Sequence, residues 1–390
     1  MKTLLGTAAM LLGLGLSPAL AEIKIAHVYG KTGPYEAYAK QSHDGLMLGL
    51  EYATGGSMEI NGEPIVVIEK DTQLKPDIGR ALLEEAYADD EVDLAVGPVS
   101  SGVALAMLPV AEEYEKLLIV EPAVADSITG ENWNRFVFRT SRNSSQDAIS
   151  NAVALGQDGT KIATLAQDYA FGRDGIAAFA EALEYTGAEL VHQEFVPTDT
   201  TDFTAAAERI FQAMKDLDGD KKLFLLWAGG GNPMGKINAM EPGRFGIEIA
   251  TGGNILAALK AYKELPGMEG ATYYYYDIPE NDVNDWLVKE HEARFGSPPD
   301  FFTAGGMSAG IAIVEAIKAA GSTETEALIS AMEGMSWETP KGTMTFRAED
   351  HQAMQSMYHF EIEVREDVEW GVPVLVRELT IDDMPVPIRN

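Results

Sequence analysis

The residue types able to do chemistry are few in this chain and poorly grouped. The six histidines, at 27, 43, 192, 291, 351 and 359, form no H-E-x-x-H and no other pair at metal-ligand spacing, so structural or surface roles are expected of them. The chain has no cysteine, which excludes disulfides, thiolate metal sites and a cysteine nucleophile. Neither G-x-x-x-x-G-K-[ST] nor G-x-S-x-G occurs, so neither a P-loop nor a nucleophile elbow is supported. Gly229-Gly230-Gly231 follows an apolar run ending at Trp227 but lacks the G-x-G-x-x-G spacing. A glycine turn that admits a ligand or an opposing lobe to the backbone is expected there instead. Asp216-Leu217-Asp218-Gly219-Asp220 places its glycine two positions early for a calcium loop and has Trp227 where the bidentate glutamate belongs, which predicts a solvated turn.

Holding an anion is chemistry the sequence supports better. Polar and aromatic residues collect at predicted strand-to-helix junctions: Lys31 to Tyr35 with Tyr38, Gly97 to Ser101, Glu121 to Asp126, Asp168 to Gly172, and Trp227 to Asn232. Ser100 and Ser101 stand where a helix should begin, so their hydroxyls and the free N–H groups beside them suit a carboxylate. The alternative is that Ser100 merely caps its helix.

These junctions require elements to carry them. Short β-rich runs at Ile23–Tyr29, Ile65–Glu69, Val92–Val96 and Leu117–Val120 alternate with amphipathic stretches at Ser42–Ala53, Asp77–Ala88 and Val103–Glu115, the pattern of a parallel sheet covered by helices. A second block repeats it at Lys161–Ala166, Glu189–Val196, Leu223–Trp227 and Gly246–Ala250, with helices near Gly172–Tyr185, Asp202–Lys215 and Asn254–Tyr262. A strand at Thr272–Tyr276 follows, then helices over Asp282–Phe295 and from about Ala304 to Ala320, and finally strands at Thr343–Phe346, Ser356–Val364 and Val372–Leu379. Two α/β lobes with a cleft at the carboxyl ends of their strands are predicted.

Composition narrows the partners. Over 390 residues, 29 Lys+Arg against 61 Asp+Glu give a formal charge of −32, which repels nucleic-acid backbones and anionic lipid. Lys2, the apolar run Leu4 to Leu16 and Ala19-Leu20-Ala21 read as a signal peptide, residues 1–21, cleaved before Glu22. No other apolar run of membrane-spanning length is expected, so the mature chain is predicted to be soluble outside the cytoplasm, without a direct membrane anchor.

In order and spacing, Thr32-Gly33-Pro34 with Tyr38, Gly97 to Ser101, Pro122-Ala123, Phe138-Arg139-Thr140, Tyr169 to Gly172 and Pro340-Lys341-Gly342 through Phe346 resemble the type I periplasmic solute-binding proteins of ABC importers, in particular the leucine/isoleucine/valine-binding branch. The resemblance covers the whole mature chain. It implies an α/β fold of two doubly wound Rossmann-like lobes joined by three crossing segments, near residues 142, 276 and 357. Residues 22–142 with 277–356 then form the first lobe, and 143–276 with 357–390 the second. It also implies a periplasmic monomer that delivers a small molecule to an inner-membrane permease, with no cofactor, no metal and no catalysis. By position, Ser100 resembles the serine that holds the ligand carboxylate and Ala123 the residue whose backbone faces the ligand, with Tyr38, Phe171 and Phe301 as aromatic walls.

Three departures from the amino-acid binders bear on the ligand. Ala125 stands where a threonine helps hold the carboxylate, Asn254 closes the stretch where an acid holds the ammonium, and Gly230 or Gly231 replaces an aromatic. A buried ammonium without its acid is costly, so an α-amino acid would need Asp126 or Glu121. With Trp227 added to the aromatic walls and small residues at 230 and 253 expected to widen the pocket, a flatter carboxylate such as an aromatic acid is favoured. Asn254 would read a polar substituent. A periplasmic sensor reporting to a membrane receptor and a secreted enzyme are the rival readings; turnover of a ligand would mark the second.

Overall fold

The computed structural model describes residues 22–390; the predicted signal peptide and its cleavage site lie outside the described residues. Aliphatic and β-branched runs form central strands whose two faces are both covered, as parallel sheets require. The chain opens with β1 (Ile23–Tyr29), α1 (Glu36–Ala53), β2 (Glu59–Ile60), β3 (Glu63–Asp71), α2 (Pro76–Ala88), β4 (Leu94–Val96), α3 (Ser101–Tyr114), β5 (Leu117–Val120) and β6 (Val137–Arg139). Their sheet runs β2-β3-β1-β4-β5-β6 and is parallel except at β2.

The second lobe begins with α4 (Ser144–Leu155), whose start is fixed by a capping box between Asn143 and Gln146. There follow β7 (Lys161–Gln167), α5 (Ala170–Leu183), β8 (Glu189–Val196), α6 (Thr204–Met214), β9 (Lys221–Leu226), α7 (Met234–Asn238), β10 (Ile247–Thr251), α8 (Leu256–Tyr262) and β11 (Glu269–Thr272). The parallel sheet β10-β9-β7-β8 carries one apolar cluster around Leu223 and Ile210 and another around Ile162 and Phe179. The chain then returns to the first core through α9 (Asp282–Phe295), α10 (Phe301–Ala320), α11 (Thr325–Met332), β12 (Ser336–Thr339), β13 (Gly342–Phe346) and β14 (Ala353–Met354). It crosses again into β15 (Met357–Val364), which pairs antiparallel with β11, and β16 (Gly371–Leu379), which pairs antiparallel with β15. This is the two-lobed α/β architecture that the alternating pattern predicts.

Differences from the predicted elements have physical reasons. Met384 and Val386 belong to the first core, so the last residues turn back onto the first lobe, although the resemblance places 357–390 whole in the second. β11 ends at Thr272, where the sequence predicts a strand over Thr272–Tyr276. Tyr273 and Tyr274 leave the sheet to pack in the first core as the chain crosses. α10 is apolar and long enough to span a bilayer, contrary to the expectation that no such run exists in the mature chain. Sixteen of its residues are buried among the other elements, so its apolar character serves the core.

α1 and α10 lie closer together than side chains normally allow. A Cβ on Gly45 would sit 2.1 Å from the Thr303 carbonyl oxygen, and one on Gly306 would sit 2.1 Å from the Ser42 carbonyl oxygen. The two glycines bring the helices into backbone contact, which sets where Tyr38 on α1 and Phe301 and Phe302 on α10 meet. The Tyr38 and Phe302 rings lie 4.4 Å apart between centroids.

Candidate ligand-binding site

The cavity between the lobes is lined from both sides and from the crossings. The first lobe contributes Tyr35, Tyr38, Val99, Ser101, Pro122, Val124, Phe301 and Phe302, and the second Tyr169, Phe171, Trp227, Gly253 and Asn254; Arg142 and Tyr273 stand at crossings. It encloses about 90 Å³, several times the ~10–15 Å³ needed by one water, a size suited to a single-ring molecule. Nine of its 24 lining residues are aromatic, which favours a flat ligand.

The lobes are shut over this space by contacts from one to the other. α1 starts at Glu36, ahead of its predicted start, so Tyr38 lies on the helix and is aimed at the opposite lobe. Its hydroxyl accepts the Gly229 N–H at 2.9 Å and donates to Asn254 Oδ1 at 3.1 Å. The Tyr35 and Tyr169 hydroxyls meet at 2.9 Å. Gly229 has φ +75°, and a Cβ there would lie 2.3 Å from the Tyr35 ring. The glycine turn therefore admits the opposing lobe, as its sequence suggested.

Several predicted site residues have roles other than those expected. Ser100 is the residue preceding α3, but its hydroxyl makes no hydrogen bond to that helix and it lies outside the cavity lining. Its neighbour Ser101 lines the cavity instead, accepting the Ala125 N–H at 3.2 Å, which leaves the Ser101 hydroxyl proton for an acceptor in the cavity. Ala123 does not face the ligand space: its N–H is bound to the Pro98 carbonyl and its carbonyl to the Ser141 hydroxyl. Ala125 is buried in the same way, its N–H on Ser101 and its carbonyl on Arg139. Gly230 lies outside the lining, with its carbonyl accepting the Trp227 indole N–H at 3.2 Å. Gly253 does not widen the pocket, since a Cβ there would strike Thr272 Oγ1 at 1.9 Å. Tyr38, Ser101, Phe171, Trp227, Asn254 and Phe301 are brought together as expected.

The residue the sequence reading missed is Arg142. Its Nε donates to Asp147 Oδ1 at 3.1 Å, and its terminal nitrogens have no hydrogen-bond partner among the described residues. The guanidinium carbon lies 4.9 Å from the Phe301 ring centroid and 5.3 Å from that of Tyr273. Arg139, three residues earlier, differs in every respect. It is fully buried, and its nitrogens bind Gln352 Oε1 at 2.6 Å, the Ala125 carbonyl at 2.6 Å and Thr129 Oγ1 at 2.5 Å. Arg139 is therefore structural, whereas Arg142 presents the unsatisfied edge of its fork to the cavity. The one cue in the sequence is a cation between a buried strand and a capped helix, in the otherwise uncharged stretch Ser141 to Ser145.

Burial dominates the electrostatics around Arg142. It holds the Asp147 carboxyl above its ordinary range, partly offset by Arg142. It pushes Glu121 up to about 7, against the pull of Thr140 and nearby cations. Glu121 and Asp126, the acids proposed from sequence for a ligand ammonium, are not in the lining. Asp147 is the acid found there among the described residues. Lys341 is buried beneath, 3.8 Å from the Tyr273 ring centroid, with Nζ bound to Gln355 Oε1 and the Ser356 carbonyl. A carboxyl whose folded pKa is raised favours the folded state below its unfolded value and loses that contribution as pH rises through its folded value. For Glu121 the loss falls between pH 4.5 and about 7. The Tm of Glu121→Gln relative to the native protein should therefore rise between pH 5 and pH 8; thermal melts at the two pH values check it.

The comparisons agree with this geometry. A family model described as periplasmic binding protein matches residues 22–367. A solved structure from Rhodopseudomonas palustris, described as an ABC-type branched-chain amino acid transporter, is 65% identical, with a TM-score of 0.86 over 95% of this chain and 100% of that one. A second, an ABC transporter solute-binding protein from the same species in complex with 3,4-dihydroxybenzoic acid, is 28% identical, with a TM-score of 0.80 over 93% and 99% of the two chains. Leu/Ile/Val-binding protein homolog 6 of Brucella melitensis is 26% identical over 94% of each chain. With two doubly wound lobes closed over an aromatic cavity, and with a family match across nearly all the described residues, the chain belongs to the type I periplasmic binding proteins, whose place is the periplasm.

Proposed function

We propose that this protein is the substrate-binding component of an ABC importer, and that it carries a small planar carboxylate, such as a single-ring aromatic acid, to a membrane permease without altering it. The observation that carries the reading is the unpartnered guanidinium edge of Arg142 in a cavity walled by aromatic rings. A carboxylate would take that edge in a bidentate pair, with the Ser101 hydroxyl as a further donor. The ring would lie among Tyr38, Phe171, Trp227 and Phe301, and the Asn254 amide would read a polar substituent. Contacts from both lobes favour the closed form, so binding acts as a population shift that the permease reads. The relative that binds 3,4-dihydroxybenzoic acid supports the aromatic assignment.

A second reading is favoured by one observation. Asp147 beside Arg142 would let a zwitterionic α-amino acid place its ammonium on the aspartate and its carboxylate on the arginine, and the 65% identical relative is described as a branched-chain amino acid transporter. Thermal-shift measurements with benzoate, 4-hydroxybenzoate, leucine and valine separate the two, because a ligand that binds only the folded form raises Tm by mass action. The expected result is a shift with the aromatic acids that survives Asp147→Asn. A shift with leucine or valine alone, abolished by Asp147→Asn, replaces the aromatic reading with the amino-acid one. Chemical conversion of any of these compounds would overturn the carrier role.

A further inference from the structure

The two lobes also meet away from the ligand cavity. On the first lobe, the Ser127 N–H and hydroxyl both donate to Asp174 Oδ2 of α5 in the second lobe, at 3.0 and 2.7 Å. Arg389, near the end of the chain, donates from its terminal nitrogen to Glu181 Oε2 of the same helix at 2.5 Å, and its Nε lies 3.6 Å from Asp126 Oδ2 on the first lobe. Asp174 and Glu181 are seven residues apart, so they stand two turns apart on one face of α5. Ala177 and Ala178, also at this contact, leave room for the first lobe to approach. The tail that carries Arg389 is fixed to the first lobe: Arg347 donates to the Val386 and Pro387 carbonyls at 2.7 and 3.2 Å, and Asn390 to the Glu349 carbonyl at 2.7 Å. Gly130 brings the Ser127 loop against the tail, since a Cβ there would lie 3.1 Å from the Arg389 Cβ. The first lobe thus presents three donors, and one helix of the second presents two carboxylates to them.

We propose that Ser127 and Arg389, with Asp174 and Glu181, form a clasp that holds the lobes shut independently of ligand and sets the closed fraction of the unliganded protein. The clasp rests on the two-lobed fold and not on the ligand's identity. Because affinity scales with the population able to close, its loss would weaken every ligand by the same factor, unlike a change in the cavity.

Intramolecular fluorescence energy transfer on ligand-free protein tests this. The chain has no cysteine, so Glu113→Cys on α3 and Glu208→Cys on α6, both exposed, accept labels on the two lobes without background. Removing the clasp by Ser127→Ala, Asp174→Asn and Arg389→Ala should lower the short-distance population by about threefold or more. Ser127→Ala alone, which removes only a hydroxyl, should shift it in the same direction if the triple variant folds poorly. Identical distance distributions with and without the clasp, including a native protein already fully open, would overturn the proposal. Failure of every aromatic acid to bind would refute the ligand reading and leave this measurement intact.

Discussion

Arg142→Gln should weaken binding of an aromatic carboxylate such as 4-hydroxybenzoate by about two to three orders of magnitude, with the fold intact. The size follows from the site. Hydrogen bonds to a charged group contribute about 1.5–3 kcal/mol each, and two would be lost together. The ligand carboxylate would also be left in a closed, aromatic-walled space without its counter-charge. The fold should survive because, among the described residues, the guanidinium makes one hydrogen bond, to Asp147, and that carboxyl, which burial already holds above its ordinary range, can take up a proton once the cation is gone. Arg142→Lys should recover only part of the affinity, since an ammonium cannot reproduce the planar fork. Isothermal titration of the three proteins, with melts as a fold control, decides it. A change below threefold for Arg142→Gln would move the carboxylate elsewhere in the cavity, with Ser101 the remaining donor to test.

The second large effect belongs to the scaffold. Gly306→Val should destabilise the protein by about 3 kcal/mol or more, at or beyond the usual cost of overpacking. Its new Cβ would stand 2.1 Å from the Ser42 carbonyl oxygen and 2.8 Å from the Leu46 nitrogen. Both are backbone atoms of α1, so no side chain can swing aside and the helices must separate. Separation would also carry Tyr38 away from Phe302, and the variant that remains folded should bind ligand more weakly. Gly230→Ala is the control: nothing among the described residues lies within 4 Å of its Cβ position, and a change within about 0.5 kcal/mol is expected. Urea unfolding of both variants gives the comparison, and equal midpoints would refute the close-packing account.

Much of the architecture was legible because it depends on local pattern. Apolar runs such as Leu117–Val120 and helical periodicity such as that of Asp77–Ala88 reflect burial on one face or two, and the structure puts a strand and a helix at those places. The capping box of Asn143 and Gln146 that starts α4 is equally local, since it needs only four consecutive residues. Tyr38, Phe171 and Phe301 as aromatic walls came instead from the family resemblance, and the structure lines the cavity with all three. Register by one residue was not legible. Ser101 rather than Ser100 lines the cavity, and the Ala123 backbone points into its own lobe, since a single residue at a helix start reverses which group faces the opening.

Sequence alone therefore determined the fold class, from local apolar pattern, and the family, from the order and spacing of motifs along the whole mature chain. Tertiary structure decided which polar groups remain free to hold a ligand. Arg139 and Arg142 are nearly indistinguishable as sequence, yet one is saturated by Gln352, 213 residues away, and the other has an open edge. Whether a donor is free depends on partners that only the folded chain brings within hydrogen-bond distance, and no local pattern records them.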